Sequence, residues 1–467
     1  MSGAPDSNSA LFTLEEILAC CNASPLTTDQ KDISSEIVRG VFTDTRKIAA
    51  GALFVALTGE NFDGHNFLQQ AANAGVAAAI VEKDIDRNSV PNDFPLLRVK
   101  STLEALGDLA RCHMKKFSLE IIGITGSYGK TTTRAMIAAA LGAQLKVLST
   151  QENYNNEIGV PQTLLQLDNS YQAAVIEMGM RGERQIEYLA KIARPTIGVI
   201  TNIGPQHIEL LGSLKNIASA KAELIRELPK NGTAILPADD AMFDYLKDQT
   251  FAKIVSFGQS SAAQYRVHKS TFDVSGYSIC EIETPKNGVL ELQLNLPGTH
   301  NAINAAAALA TADVCGIDMN LAIASLQNLQ IPGARMQLRR TPKAIIIDDC
   351  YNAGPSSMRA ALNVLENFPD AKRRVAVLGS MLELGEWSEK EHQKIGAQAS
   401  GIVQLIIGVG EETKVLLEAA PNTQTHWFEN AVEAAKWIPA HVQNGDVILV
   451  KGSRSIGLEK VVEALNA

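Results

Sequence analysis

The amino-acid sequence predicts an α/β protein of three domains, in which a central parallel sheet carries a glycine-rich loop. A chain of 467 residues suits about three domains, at roughly 150 residues each. Strand-like and helix-like segments alternate over most of its length, a pattern typical of parallel sheets covered by helices. The segment GITGSYGKTTT at 123–133 stands between one such strand and one such helix. The predicted class is therefore α/β with a central sheet of the phosphate-loop type.

The first predicted domain, residues 1–98, is a small α/β unit. Its apolar residues are spaced first for a helix, then for a buried strand, then for a helix closed by Gly75 and a second strand. These segments are 14–21, 51–57, 66–74 and 77–81. Residues 61–65 between them have turn chemistry.

The central domain is predicted at 99–331 and the third at 332–467. Predicted central strands and helices are 119–122, 134–141, 173–176, 183–193, 197–201, 216–228 and 233–236. From 264 to 296 apolar and polar residues alternate, most clearly at 290–296, which predicts an antiparallel appendage. An alanine-rich helix follows at 301–314. The third domain is predicted to be Rossmann-like, with strands at 344–347, 374–378, 403–407 and 446–450.

Composition and charge argue against several classes of protein. The net charge of -9 disfavours nucleic acid as the main partner, because phosphate backbones require a basic face. The first residues lack the features of a signal peptide, and no apolar run approaches the ~20 residues of a membrane helix. Without a C-x-x-C pair, the cysteines are predicted to be reduced thiols. These are Cys20, Cys21, Cys112, Cys280, Cys315 and Cys350. We therefore expect a cytoplasmic protein with no nucleic-acid or membrane partner.

The glycine-rich loop has the residues needed to bind phosphate. Gly126 and Gly129 allow positive φ, and the following helix offers free amides and the positive end of its dipole. Lys130 supplies a cation for phosphates, and the Thr131 hydroxyl can hold Mg²⁺. Ile124 stands where the usual loop pattern has glycine. The alternative is an ordinary strand-to-helix turn, but packing alone does not explain the sequence Gly-Lys-Thr-Thr-Thr. We therefore predict a nucleoside triphosphate site.

Three further residues are candidates for a metal centre beside the phosphates. Glu177 ends the apolar strand at 173–176, where parallel sheets present side chains to ligands. His207 follows the predicted strand at 197–201, and Lys221 stands on the next helix. Each has a simpler alternative: a solvated glutamate, a structural histidine and a surface lysine.

Several ordered motifs resemble those of the Mur ligases, over nearly all of the chain past residue 40. The shared motifs are TGSYGKTT at 125–132, EMG at 177–179, TNIGPQH at 201–207, AKAE at 220–223, GTHNAINA at 298–305 and KGS at 451–453. Others resemble the branch of that family that adds a dipeptide. They are DTR at 44–46, LFVALTGENFDGH at 53–65, DDCYN at 348–352 and MLELGE at 381–386.

The resemblance implies a role for each candidate residue. Those implied to hold the ATP phosphates are Gly126, Ser127, Gly129, Lys130, Thr131 and Thr132. Those implied to hold metal are Thr131, Glu177, His207 and a carbamylated Lys221, and the catalytic set is Lys130, Glu177, His207 and Lys221. Asn301 and Asn304 resemble adenine-side residues, Arg335 an arginine that reaches ATP and Asp349 a ribose contact. The implied substrate-binding residues are Thr45, Arg46, Asn155 and Asn156.

The implied reaction is an ATP-dependent ligation with Mg²⁺ as cofactor. It joins D-alanyl-D-alanine to UDP-N-acetylmuramoyl-tripeptide through an acyl phosphate, in peptidoglycan precursor synthesis, and a monomer is expected. Two alternatives are a ligase like folylpolyglutamate synthetase and an NTP-driven switch without ligation. Ser380, Gly354 and Glu152 depart from the family pattern, where aspartate, asparagine and glycine are usual. Tyr128 fills the variable position of the loop.

Overall fold

The computed structural model describes residues 10–26, 37–151, 153–206, 208–331 and 333–466. In that part of the chain three large sheets of five, nine and six strands follow one another, with two small two-stranded sheets in the first region. The three large sheets have strands within 24–98, 120–294 and 337–451. The predicted α/β class is confirmed, whereas the boundaries at 98/99 and 331/332 stay predictions. Among the described residues, every helix is too short or too polar to cross a bilayer.

The first region is built on a five-stranded sheet in the order β2-β9-β8-β5-β4, parallel except for the β2–β9 pair. Its elements are β1 Leu11–Thr13, α1 Leu14–Cys21, β2 Ser24–Pro25, β3 Ile37–Arg39, β4 Val41–Phe42, β5 Leu53–Val55, β6 Thr58–Gly59, β7 Phe62–Asp63, α2 Leu68–Asn73, β8 Ala78–Val81 and β9 Leu96–Arg98. Helix α1 begins where predicted, because Thr13 and Glu16 form a capping box. The predicted turn at 61–65 overlaps a small hairpin, β6–β7.

A disulfide joins α1 to helix α3, Thr102–Met114. The prediction that all six cysteines are reduced is therefore wrong for Cys20 and Cys112. The two helices pack together and bring these Cα atoms to 6.3 Å, within disulfide range, although the residues are 92 positions apart in sequence. The other four cysteines are free thiols. A cytoplasmic location stays a prediction and loses its support from cysteine usage.

The central sheet has the order β11-β12-β10-β13-β14-β15-β16-β17-β18. Its elements are β10 Glu120–Thr125, α4 Lys130–Gly142, β11 Val147–Ser149, α5 Gly159–Leu164, β12 Ala173–Glu177, α6 Gln185–Ala193, β13 Ile197–Ile200, α7 Ile208–Leu211, α8 Leu214–Arg226, β14 Thr233–Pro237, α9 Phe243–Lys247, β15 Lys253–Gly258, β16 Tyr265–Phe272, β17 Ser278–Thr284, β18 Gly288–Leu294, α10 Thr299–Val314 and α11 Met319–Gln327. Pairing is parallel as far as β16 and antiparallel from β16 to β18. The predicted antiparallel appendage is confirmed, and it continues the main sheet.

Helices cover both faces of the central sheet, as the alternating pattern predicts. On one face Ile122 and Ile124 pack in a core with α4 and the alanine-rich α10. On the other face Ile121 belongs to the core that contains α3, α6 and α8. The small side chains of α10 allow it to lie close to α4. Strand β10 is thus buried between β12 and β13, and its carboxyl end holds the glycine-rich loop in a fixed place.

The third region is a six-stranded sheet in the order β19-β20-β24-β21-β22-β23, parallel except at β19. Its elements are β19 Gln337–Arg340, β20 Ala344–Asp348, α12 Pro355–Glu366, β21 Arg373–Gly379, α13 Ser388–Ser400, β22 Leu405–Val409, α14 Thr413–Glu418, β23 Gln424–Phe428, α15 Ala431–Trp437, β24 Asp446–Lys451 and α16 Glu459–Asn466. Apolar clusters lie on both faces of this sheet, as in a doubly wound, Rossmann-like domain.

Candidate active site

A cavity of about 830 Å³ lies at the carboxyl ends of the central strands, between the central and third regions. Parallel sheets bind ligands at this edge because loops and helix amino termini meet there. Most of the predicted site residues line the cavity. They are Ser127, Gly129, Lys130, Thr131, Thr132, Asn155, Asn156, Glu177, Asn301, Asn304, Arg335 and Asp349.

The two loop glycines have the positive φ that the sequence predicts, 152° at Gly126 and 78° at Gly129. A Cβ at Gly126 would lie 1.9 Å from Thr201 Oγ1, so no larger residue fits there. Gly129 immediately precedes α4, and a Cβ on it would lie 3.1 Å from Asn304 Oδ1. The loop therefore wraps tightly onto the amino terminus of α4, where free amides are available to bind an anion.

Asn202, which lies just after β13, holds the loop in place. The sequence alone assigns this residue no role of its own. Its Oδ1 accepts a hydrogen bond from Tyr128 N at 3.0 Å, and its carbonyl accepts one from Ser127 N at 3.1 Å. Ser127 Oγ also donates to Gly204 O at 3.0 Å. These bonds fix the loop before any ligand enters. Asn202 could have been suspected because it follows the strand beside β10.

Lys130 is placed to meet an anion. Its Nζ donates to Gly126 O at 2.8 Å. Burial lowers the pKa of Lys130, Glu177 opposes that shift, and the charge of Arg335 lowers the pKa further. The charges acting on Lys130 are thus one carboxylate, Glu177, and one further cation, Arg335, and all three groups line the cavity. Phosphate groups bound beside Lys130 and Arg335 would pair with these two cations.

Glu177 is buried at the end of β12, 2% exposed. Its Oε1 accepts from Asn155 Nδ2 at 2.9 Å, and its backbone N donates to Thr150 Oγ1 at 3.0 Å. Its Oε2 is buried and has no hydrogen-bond partner within the described ranges. The solvated-glutamate alternative is therefore wrong. A buried carboxylate oxygen with free lone pairs is suited to a cation.

The oxygen donors of this cavity suit Mg²⁺ that is bound partly by phosphate and water. The described donors do not suit a metal whose ligands all come from the protein. The described residues contain no cluster of three or more His, Cys, Asp or Glu side chains suited to a metal. Mg²⁺ commonly uses one or two carboxylates together with phosphate oxygens and water. Glu177 and the hydroxyl of Thr131, which line the same cavity, match that requirement. His207 lies outside the described residues.

Lys221 is on α8 and only 2% exposed, so the surface-lysine alternative is wrong. It does not line the cavity. Burial lowers its pKa well below the usual value, and the charge of Lys130 lowers it further. A lysine in this setting is readily neutral, and a neutral amine is the form that reacts with carbon dioxide. Its carbamylation stays a prediction.

Helix α10 brings two asparagines to the phosphate loop. Asn301 Nδ2 donates to Pro297 O at 2.8 Å, and Asn301 Oδ1 accepts from Asn304 Nδ2 at 3.3 Å. Asn304 lies beside Gly129, since a Cβ on that glycine would be in close contact with its amide group. The adenine-side role of the pair stays a prediction.

The third region contributes a cation, a carboxylate and an aromatic ring. The Arg335 guanidinium lies 3.8 Å from the ring centroid of Tyr351. Asp349 Oδ2 accepts from Lys451 Nζ at 2.5 Å; burial raises the pKa of Asp349, and Lys451 opposes that shift. The Tyr351 hydroxyl donates to Asn153 of the central region. The sequence motif includes Tyr351, but only the fold shows that it bridges two regions.

Thr45 and Arg46 lie apart from this cavity. Arg46 is exposed and pairs with Asp44, Nη2 to Oδ2, at 2.7 Å. The hydroxyl of the nearby Thr43 accepts from Gln162 Nε2 of α5 at 2.6 Å, so this loop rests against the central region. Nucleotide-sugar binding by Thr45 and Arg46 stays a prediction.

Only some of the residues that depart from the family pattern line the cavity. Gly354 lines the cavity and precedes α12, whereas Ser380 is fully buried and does not line it. Glu152 lies outside the described residues. Tyr128, at the variable loop position, also lines the cavity.

Sequence comparison matches three domain families. Residues 37–113 match "Mur ligase family, catalytic domain", residues 124–312 "Mur ligase middle domain" and residues 334–454 "Mur ligase, glutamate ligase domain". A curated Synechocystis protein named UDP-N-acetylmuramoyl-tripeptide–D-alanyl-D-alanine ligase is 37% identical, over 99% of this chain and 98% of its own length.

Solved structures give the same match. MurF from Acinetobacter baumannii superposes with a TM-score of 0.90 at 31% identity, covering 98% of this chain and 99% of that one. MurF from Thermotoga maritima, solved in complex with ADP, has a TM-score of 0.83 at 27% identity, covering 91% and 96% of the two chains.

Proposed function

This chain belongs to the Mur ligase family, and from that premise we propose that it joins D-alanyl-D-alanine to UDP-N-acetylmuramoyl-tripeptide with conversion of ATP to ADP. The observation that carries the proposal is the cavity in which a phosphate loop faces charged residues of the third region. Such an arrangement lets one nucleotide and two further substrates meet. The named relatives support this choice of substrates.

The chemistry has two balanced steps. A carboxylate oxygen of the tripeptide attacks the γ-phosphorus of ATP, the bond to ADP breaks, and an acyl phosphate results. The dipeptide amine then attacks the acyl carbon, loses a proton and expels inorganic phosphate. ATP is required because a carboxylate is a poor electrophile. Most of the protein's contribution to such transfers is positioning and charge neutralisation.

The residues of the cavity divide this work. Lys130 and the amides at the start of α4 would bind and neutralise the phosphates, and Arg335 would add a second cation from the third region. Glu177 and Thr131 would hold Mg²⁺, with His207 and a carbamate on Lys221 as further proposed ligands. Bound Mg²⁺ neutralises phosphate charge. The third region would bind the dipeptide and help to exclude water from the acyl phosphate.

The carbamate forms when the neutral Nζ of Lys221 attacks carbon dioxide and releases a proton. Its product is a carboxylate-like anion where the sequence has a cation. Burial and the charge of Lys130 support this step, because both favour the neutral amine, and the charge of Lys130 would then stabilise the carbamate anion.

An assay of phosphate release, with each substrate omitted in turn, tests the proposal. We expect release only when ATP, Mg²⁺, UDP-N-acetylmuramoyl-tripeptide and D-alanyl-D-alanine are all present. Release without any peptide would favour the nucleotide switch, and release with a folate substrate and glutamate would favour the folylpolyglutamate-type ligase. We further propose a monomer that acts in the cytoplasm in peptidoglycan precursor synthesis.

A further inference from the structure

Arg134 is a buried arginine whose charge faces the carboxylate assigned to the cation. It follows Lys130 by one turn of α4, so the two side chains share a face of that helix. Its Nε lies 3.4 Å from Glu177 Oε2, and its Nη1 donates to Ser149 Oγ at 3.1 Å. The residue is 9% exposed and does not line the cavity. Arg134 therefore connects the phosphate-binding helix to Glu177 from behind.

The contact with Glu177 is a charge pair without a hydrogen bond. Neither Arg134 Nε nor Glu177 Oε2 has a hydrogen-bond partner in the part of the chain that the structure describes. The other carboxylate oxygen, Oε1, is fixed by Asn155. Glu177 is thus held on one side by a hydrogen bond and on the other by charge. Its Oε2 keeps lone pairs free for a further ligand.

A second ion pair, between a partly buried arginine and a buried aspartate, provides a structural contact for comparison. Arg373 Nε and Nη2 donate to Asp446 Oδ1 and Oδ2 at 2.8 and 2.6 Å. That fork occupies both carboxylate oxygens, the bidentate geometry that an arginine and a carboxylate commonly form. The pair between Arg134 and Glu177 lacks this fork, although it is also buried.

We propose that Arg134 is a positioning residue for the cation site, which holds the Glu177 carboxylate in the position that binds the cation. The inference rests on the proposed role of Glu177 in binding that cation. It assigns Arg134 no contact with phosphate, because the side chain is buried behind the carboxylate. Groups that orient metal ligands commonly change metal affinity by about 10- to 100-fold when removed.

Binding of Mn²⁺ and ADP to the full chain tests the proposal without any ligation. Free Mn²⁺ is measured by electron paramagnetic resonance with ADP present, and ADP binding is measured in EDTA. The variants are Arg134→Met, Arg134→Lys and the matched control Arg373→Met. Melting temperatures report the stability of each variant.

We expect Arg134→Met to weaken Mn²⁺ binding by about 10- to 100-fold while ADP binding in EDTA is unchanged. Arg134→Lys keeps the charge and should lie between the wild type and Arg134→Met, which gives a result even if Arg134→Met does not fold. Arg373→Met should melt earlier yet bind Mn²⁺ like the wild type.

Two results would overturn the proposal. Equal losses of ADP affinity with and without metal would make Arg134 a phosphate ligand. Wild-type Mn²⁺ affinity in the folded Arg134 variants would leave it a structural residue only. A wild-type protein that binds Mn²⁺ and ADP but forms no peptide product would refute the proposed function and leave this inference intact.

Discussion

Lys130 is the residue on which phosphate binding depends most directly. Among the described residues its Nζ donates only to the loop carbonyls of Gly126 and Ser127, so Lys130→Ala should leave the fold intact and lower kcat by about 10²–10³-fold or more. The measurement is ADP formation with all substrates, together with the melting temperature. Lys230→Ala, at an exposed lysine of the same region, is the control and should behave like the wild type. Near-normal turnover by a folded Lys130→Ala protein would contradict the phosphate-loop assignment.

Lys221 tests whether a carbamate serves this site. Lys221→Ala should lose activity on the order of 100-fold, and a small carboxylate such as formate should restore part of it by replacing the missing anion. Bicarbonate added to wild-type protein depleted of carbon dioxide should raise the rate. The matched control is Lys215→Ala, an exposed lysine on the same helix. A fully active Lys221→Ala protein would remove this residue from the site.

His113 should make the fold sensitive to mild acid. Burial lowers its pKa below 6.5, the hydrogen bond to Leu167 O opposes that shift, and Lys116 lowers the pKa further. The unfolded chain therefore gains a proton near pH 6.5 while the folded chain does not. Stability should fall as pH drops below about 6.5, towards the lower pKa of the folded state.

The comparison for His113 is His113→Gln, which can still donate to Leu167 O but does not titrate. Its unfolding free energy, measured in urea between pH 7 and pH 5, should fall less steeply than that of the wild type. His300 and His392 also have lowered pKa values, so some pH dependence should remain in the variant. Identical slopes for the two proteins would contradict the prediction.

At the scale of elements, the hairpin between β16 and β17 packs against the third region. Gly276 has a φ of 82°, and a Cβ on it would lie 2.2 Å from Phe368 Cζ. Gly288, in the next hairpin, has a φ of 68° and open space around it. Both substitutions by alanine meet the left-handed backbone cost of about 1–2 kcal/mol.

Only Gly276→Ala adds a clash, which should cost about 1–3 kcal/mol more than Gly288→Ala. The measurement is the midpoint and slope of denaturant unfolding for the two variants. Equal unfolding midpoints for the two variants would show that a Cβ at Gly276 does not clash with Phe368.

The elements that the sequence predicts well are those with a local cause. Helix α1 has its capping box, and β18 alternates because one face is buried. The sequence predicts only a turn where the hairpin β6–β7 lies, because its strands have two residues each and little pattern. Strand order and the disulfide of Cys20 depend on contacts between distant segments, which no local pattern contains.

Within the candidate site, too, residues with a local cause can be predicted from the sequence, whereas contacts between distant segments cannot. Lys130 and Glu177 follow strand ends and can be predicted from the chain itself. The pairing of Arg134 with Glu177 and the bridge from Tyr351 to Asn153 require the folded arrangement of separate elements. The nucleotide-sugar role of Thr45 and Arg46 rests on resemblance alone, since neither lines the cavity.

Across the whole molecule, side-chain contacts join the central region to both outer regions. Gln162 binds the loop of Thr43, and Tyr351 of the third region binds Asn153. The central region thus contacts both of the others. This arrangement suits a reaction with three substrates, in which the outer regions select the two that are joined.

The central claim is that the acceptor is a dipeptide. A single amino acid would leave buried polar partners of the missing peptide group unpaired, at about 1–3 kcal/mol for each. The most direct test measures ADP formation with ATP, Mg²⁺ and UDP-N-acetylmuramoyl-tripeptide, using D-alanyl-D-alanine, D-alanine or L-glutamate as the acceptor. We predict rapid turnover with D-alanyl-D-alanine and poor turnover with either amino acid, whereas equal or faster turnover with L-glutamate would contradict the account.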